Sequence, residues 1–221
     1  MSQPPASSTS ENLSLLSVLV NSELVRLVFA EVLRFWRESR FHGLYRVNHH
    51  EATLELLDSQ GRVAVHTKRQ KVIFLRDDVF AIQDQIWGDG SIFADYKCSP
   101  GFPVDIYQEG YRHFVLISLR QNYRKGMEEE IFIERTIENG FLTNNETFQI
   151  QVDHPMKVLT ARIIFPKDRL PRNVAIVENN LKRSHQLGVQ HETHFPDGRI
   201  SYTWEVNKPR LYEGYIFKWE W

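Results

Sequence analysis

Two rhythms divide the chain. Between Asn12 and Ser39, large apolar residues fall at Leu13, Leu16, Val20, Leu24, Leu27, Val28, Val32, Phe35 and Trp36. Charges fall at Glu23, Arg26, Glu31, Arg34, Arg37 and Glu38. A spacing of three to four is one face of an α-helix, so residues 11–42 are predicted as an amphipathic N-terminal helical segment. Asn21 or Ser22 can cap a fresh start before Glu23, which makes it one helix or two, and His42-Gly43 ends it. Residues 1–10, with Pro4-Pro5 among small polar residues, read as a disordered tail because they bury too little surface to order.

After Gly43 the period becomes two. Ala52, Leu54 and Leu56 alternate with Glu51, Thr53 and Glu55, and Asp58-Ser59-Gln60-Gly61 turns the chain into a second strand over 62–76. Alternation closed by a Gly-containing loop is a hairpin signal. Further strands are predicted at 79–86, 92–97, 104–107, 111–119, 131–137, 147–152, 158–165, 174–177, 200–206 and 212–221. Polar turns separate them, among them Gln108-Glu109-Gly110, Glu138-Asn139-Gly140 and Pro196-Asp197-Gly198. The expected fold is therefore mainly β, an antiparallel β-sandwich or a closed barrel, in a single domain over 43–221. The polar stretch 179–190 reads as a connection, and Glu128-Glu129-Glu130 as a solvated hairpin tip. In the last strand Tyr215, Phe217, Trp219 and Trp221 share one face, either as core or as the lining of a barrel that holds an apolar molecule.

Composition narrows the class. The chain has 221 residues, 42% hydrophobic, 12% aromatic and 25% charged, with a formal net charge of -1. A disordered chain would be poorer in aromatics, and binding to nucleic acid driven by bulk charge is disfavoured. The basic pairs at Lys68-Arg69 with Lys71, and at Arg120 with Arg124-Lys125, are offset by nearby acids, so no nucleic-acid partner is expected. The one cysteine, Cys98, excludes an internal disulfide and a site built on several thiolates. Without a basic n-region, an apolar h-region or a run of about 20 apolar residues, no leader and no transmembrane segment are expected, and the cytoplasm is the default compartment.

Candidate chemistry is sparse. No dinucleotide loop, P-loop, nucleophile elbow, zinc helix or EF-hand is present. His49-His50 would point to opposite faces of a strand, and His191 and His194 lack a third ligand, so no metal and no cofactor are expected. Cys98 has no assignable base and reads as a small buried apolar residue. The segment from Trp87 to Gly101 is densest in special residue types, and Trp87, Asp89, Asp95 and Tyr96 are its candidate ligand-binding residues, as loops on β scaffolds often carry function. The reading that follows is a non-enzymatic interaction or binding module with an unknown partner. A barrel binding a small apolar ligand is the alternative, and a metal- or Cys-dependent enzyme is third.

The breadth of the apolar helix face predicts self-association, most simply as a symmetric dimer, through Leu24, Val28 and Phe35. Changing these three to polar residues should shift the mass measured by light scattering from dimer to monomer. A wild-type chain that stays monomeric at high concentration would remove this expectation.

Overall fold

The computed structural model describes residues 43–221. The expected tail and helical segment, with Leu24, Val28 and Phe35, lie outside the described residues. Fourteen strands follow in order: β1 Tyr45–Leu56, β2 Val63–Phe74, β3 Val79–Ile86, β4 Ser91–Ser99, β5 Phe102–Glu109, β6 Arg112–Tyr123 and β7 Glu128–Glu138. Then come β8 Asn145–Gln151, β9 Met156–Phe165, β10 Arg172–Glu178, β11 Arg183–Gln186, β12 Glu192–His194, β13 Ile200–Asn207 and β14 Gly214–Glu220. One 3-10 turn, Val189–His191, precedes β12.

The strands form three sheets. The largest has seven strands in the order β12-β13-β9-β1-β2-β7-β4, the second has the order β11-β10-β14-β8, and the third β3-β6-β5. The β1–β9 pair is parallel; the other ladders are antiparallel. Every sheet keeps two edges, so the expected sheet-rich fold is present without a closed barrel. Among the described residues, no helix is long and apolar enough to cross a membrane.

Local chemistry sets the first hairpin. The Asp58 carboxylate accepts backbone N–H bonds from Gln60 at 2.7 Å, Val63 at 2.8 Å and Arg62 at 3.3 Å, fixing the turn as Asp side chains do. Gly61 has φ +70°, and a Cβ there would collide with the Phe141 carbonyl. Only glycine allows both the turn and that approach.

One face of the large sheet is covered by the two smaller sheets. On β2 the inward set is Ala64, His66, Lys68, Gln70, Val72 and Phe74. On β1 the inward set begins with Tyr45 and Val47 and continues with His50, Ala52, Leu54 and Leu56. Parity changes at a bulge, where the register against β2 shifts between Val47 and His49. An extra residue in one strand reverses which side chains face inward. As a result His50 is buried, while His49 lies on the other face, where its Nε2 sits 3.0 Å from Thr160 Oγ1.

The alternating aromatics of β14 fill the interior. Tyr215, Phe217 and Trp219 are fully buried, and the Trp219 ring lies 5.6 Å from that of Phe165 and 5.8 Å from that of Phe141. They join the sheet of β14 to the large sheet instead of lining a lumen. Two expectations about connections are corrected. The stretch 179–190 contains β11, which pairs with β10; a short edge strand of polar residues has no apolar alternation to show. Glu128-Glu129-Glu130 opens β7 rather than a turn. Its residues stay in the ladder because Glu129 accepts the Tyr123 hydroxyl at 2.5 Å and Glu130 meets Arg69 at 3.2 Å.

Truncating a large, fully buried ring leaves a cavity in a close-packed core. Phe217→Ala should lower the unfolding free energy by about 3–5 kcal/mol, whereas Lys218→Ala, on the exposed face of the same strand, should change it by less than about 0.5 kcal/mol. Urea unfolding of the two variants checks the pair. Equal effects would mean that β14 is not oriented as described.

Candidate functional site

The inward face of β2 is apolar at both ends and polar in the middle. His66, Lys68 and Gln70 follow one another at alternate positions, where a covered sheet ordinarily carries Val or Ile. The ladder extends this polar layer sideways. His50 pairs with Gln70, His66 with Arg135 of β7, and Arg135 with Tyr96 of β4. From the opposing three-stranded sheet, β3 contributes Asp84.

Asp84 ties the layers together. Its Oδ1 accepts the Lys68 ammonium at 2.9 Å and its Oδ2 accepts the Tyr96 hydroxyl at 3.2 Å. The carboxylate is 2% exposed. Burial, reinforced by the Asp84 charge, pushes the Tyr96 phenol far above its ordinary range, so it stays a donor.

Around this layer lies a cavity of about 210 Å³. Its floor is His50, Ala52, His66, Lys68 and Arg135 from the large sheet, and Asp84 and Gln85 of β3 close one side. The edge strand β8, from Glu146 to Gln151, closes another, and Trp87, Gly88 and Asp89 stand with Gly140 and Phe141 among the lining loops. β3 and β8 are edge strands of two different sheets that lie over the same face, and the cavity is the space between them. The loop pair is held backbone against backbone, since a Cβ on Gly90, at φ +74°, would collide with the Glu138 carbonyl.

Several polar atoms here are buried without a partner: His50 Nε2, both ring nitrogens of His66, and Arg135 Nε. His50 Nδ1 lies 3.3 Å from Gln70 Nε2. With the Gln70 amide donating, the neutral His50 ring carries its proton on Nε2, which is left with no acceptor. His66 is covered by Phe148, ring edge to ring face at 5.1 Å. Both imidazoles are held well below their usual pKa, first by burial and then by neighbouring cations, Lys68 for His50 and Arg135 for His66. Burial also lowers the pKa of Arg135, partly offset by Asp84. Each buried donor left unmade costs about 1–3 kcal/mol.

The residues expected from sequence separate. Trp87 and Asp89 line the cavity, with the Arg112 guanidinium 5.2 Å from the Trp87 ring centroid. Tyr96 lies beneath, on Asp84. Asp95 points outward, 54% exposed, and pairs with Lys97 at 3.0 Å. Lys68, read with Arg69 and Lys71 as one basic cluster, faces inward, while Arg69 and Lys71 face outward. Cys98 is partly buried on β4, and burial raises its pKa. His194 pairs with Glu192 at 2.6 Å, and the His191 ring is 5.7 Å from Trp204. Among the described residues, no group of three or more His, Cys, Asp or Glu is arranged to hold a metal ion. Sequence reasoning missed His50, His66, Asp84 and Arg135 as a set. The usable signal was the polar interruption of an otherwise apolar inward alternation on β2.

No family model matches the chain, and no curated protein matches it in sequence. Among solved structures, it is similar to a mutant of the M1 zinc metallopeptidase from Deinococcus radiodurans bound to a Tyr-Ser-Ala substrate. That pair shares 12% identity and a TM-score of 0.46, covering 78% of this chain and 42% of that one. The non-mutant metallopeptidase gives 11% identity and a TM-score of 0.45 over the same shares. The chain thus spans less than half the length of these structures.

The lowered histidines make stability depend on pH with a defined sign. Unfolding releases two imidazoles to their ordinary pKa of 6.5, so below that pH the unfolded state binds more protons than the folded one. The stabilisation is fully present above pH 6.5 and is lost as pH falls toward the depressed folded values. Between pH 6.5 and 5, the unfolding free energy should drop by up to about 1.4 kcal/mol per pH unit for each histidine. His66→Leu should flatten that slope. A slope unchanged in this variant, measured by urea unfolding, would show that His66 does not titrate on unfolding.

Proposed function

We propose that residues 43–221 form a non-enzymatic binding module that captures a small polar molecule in the cavity between β3, β8 and the large sheet. The observation that carries this reading is a cavity lined by His50, His66, Lys68, Asp84 and Arg135, in a layer where His50, His66 and Arg135 also hold buried atoms without a partner. Buried polar groups in folded proteins are almost always paired, and so polar a wall around one cavity favours a polar occupant over an apolar one. A volume of about 210 Å³ admits a small ligand or a few waters, below the span typical of drug-sized sites. An apolar ligand fits this lining poorly, because it would leave the same donors unmade. The charged groups also favour binding over catalysis. Asp84 is engaged by Lys68 and Tyr96, which makes it a weak candidate for a general base. Self-association through Leu24, Val28 and Phe35 would make such a module bivalent, and light scattering of the polar variants tests that part separately.

The test is a thermal-shift and calorimetric screen of the full chain with small anionic, cationic, neutral polar and apolar molecules. At least one polar class should raise Tm and saturate at one molecule per chain. Ala52→Leu, which adds bulk to the cavity floor, should weaken that binding about tenfold or more while the variant remains folded by circular dichroism. Binding unaffected by Ala52→Leu, or no saturable ligand in any polar class, would refute this reading.

A further inference from the structure

We propose that the cavity takes a small monocarboxylate, its carboxylate against the Arg135 guanidinium and its other end bearing hydrogen-bond donors for the acidic groups of the lining; this rests on the cavity being a binding site.

Arg135 is a buried cation in the cavity lining. It is 7% exposed and lies on the inward face of β7, yet it makes no ion pair or hydrogen bond among the described residues. Its nearest natural counter-charge is engaged elsewhere, because one oxygen of Asp84 holds Lys68 and the other holds Tyr96. A buried guanidinium without an anion is costly, and its forked donors match a carboxylate. The two imidazoles on the same floor, His50 and His66, are held neutral by burial and add no further buried charge beside it.

Charge limits the ligand to one negative group. Lys68 and Arg135 face Asp84, which leaves a single positive charge at the floor. A monocarboxylate neutralises it, whereas a phosphate dianion would exceed it. The remaining lining carries Asp89, Glu146 and Asp153, which disfavours a second anion on the ligand. Glu146 is held in place there, its Oε1 accepting the Thr143 N–H at 2.6 Å and the Thr143 hydroxyl at 2.9 Å. A ligand with an anionic head and a donor-bearing tail meets both kinds of charged group in the lining.

The test uses the full chain with butyrate, butyramide, 4-aminobutyrate, succinate and inorganic phosphate, each titrated to about 50 mM because ligands this small bind weakly. Butyrate should bind about tenfold or more tightly than butyramide, the loss expected when a charged hydrogen-bond acceptor becomes neutral. The order 4-aminobutyrate, then butyrate, then succinate and phosphate is expected. Arg135→Met should abolish the preference for carboxylate over amide, and it should raise the ligand-free Tm by roughly 2–8 °C by removing an uncompensated buried charge. A structural arginine would instead lower Tm on removal and leave the preference intact. Arg135→Lys keeps the charge without the fork. It should retain the preference at weaker affinity, and it serves if the methionine variant does not fold. Butyramide equal to butyrate, or phosphate or succinate above butyrate, overturns the monocarboxylate while Ala52→Leu still decides whether the cavity binds anything. No binding by any of the five overturns it as well.

Discussion

The ion pair of Lys68 and Asp84 joins two sheets across a polar layer set into an aliphatic and aromatic interior. A buried ion pair is a poor source of net stability, because removing both charges from water costs about as much as their attraction returns. Its contribution is specification. With Asp84 also bonded to Tyr96, a single carboxylate contacts both β2 and β4 from the opposing sheet. Sliding β3 by one residue would turn Asp84 outward and bury two orphaned donors. Apolar contacts alone tolerate such slippage better, so this polar bridge fixes how the small sheet sits on the large one.

The same bridge explains the cavity. Because both oxygens of Asp84 are engaged by Lys68 and Tyr96, Arg135 feels that charge without a hydrogen bond to it, and His50 and His66 are left with unmade donors. These groups lie where β3 and β8, edge strands of separate sheets, come over one face without pairing to each other. The gap between two open edges supplies the space, and the polar row across β1, β2, β7 and β4 supplies the chemistry. The burden on stability is local, and it is offset elsewhere by the packing of Trp219, Phe165 and Phe141 between the large sheet and β14.

Much of the fold was legible in the chain. Strands with alternating patterns, such as 52–56 and 131–137, appear where period two placed them, and the Asp58–Gly61 turn follows from side-chain capping and a positive φ. Elements without such contrast escaped. β11 and β12 are short, polar and at sheet edges, so neither burial nor alternation marks them. Glu128-Glu129-Glu130 looked like a solvated tip because charge was taken as a sign of a loop, whereas each residue finds a cross-strand or hydroxyl partner inside a ladder.

What the sequence determined by itself was strand identity and face-sharing: Tyr215, Phe217 and Trp219 had to lie on one side because side chains alternate along any strand. It also required His49 and His50 to part. Which of the two turned inward was decided by the bulge between Val47 and His49, which depends on the register against β2 and is invisible to a single strand's pattern. The meeting of His50, His66, Asp84 and Arg135 was likewise decided only by tertiary structure. They stand on four strands of two sheets, β1, β2 and β7 in one and β3 in the other, and proximity across sheets is set by ladder order and layer packing, which no local spacing encodes.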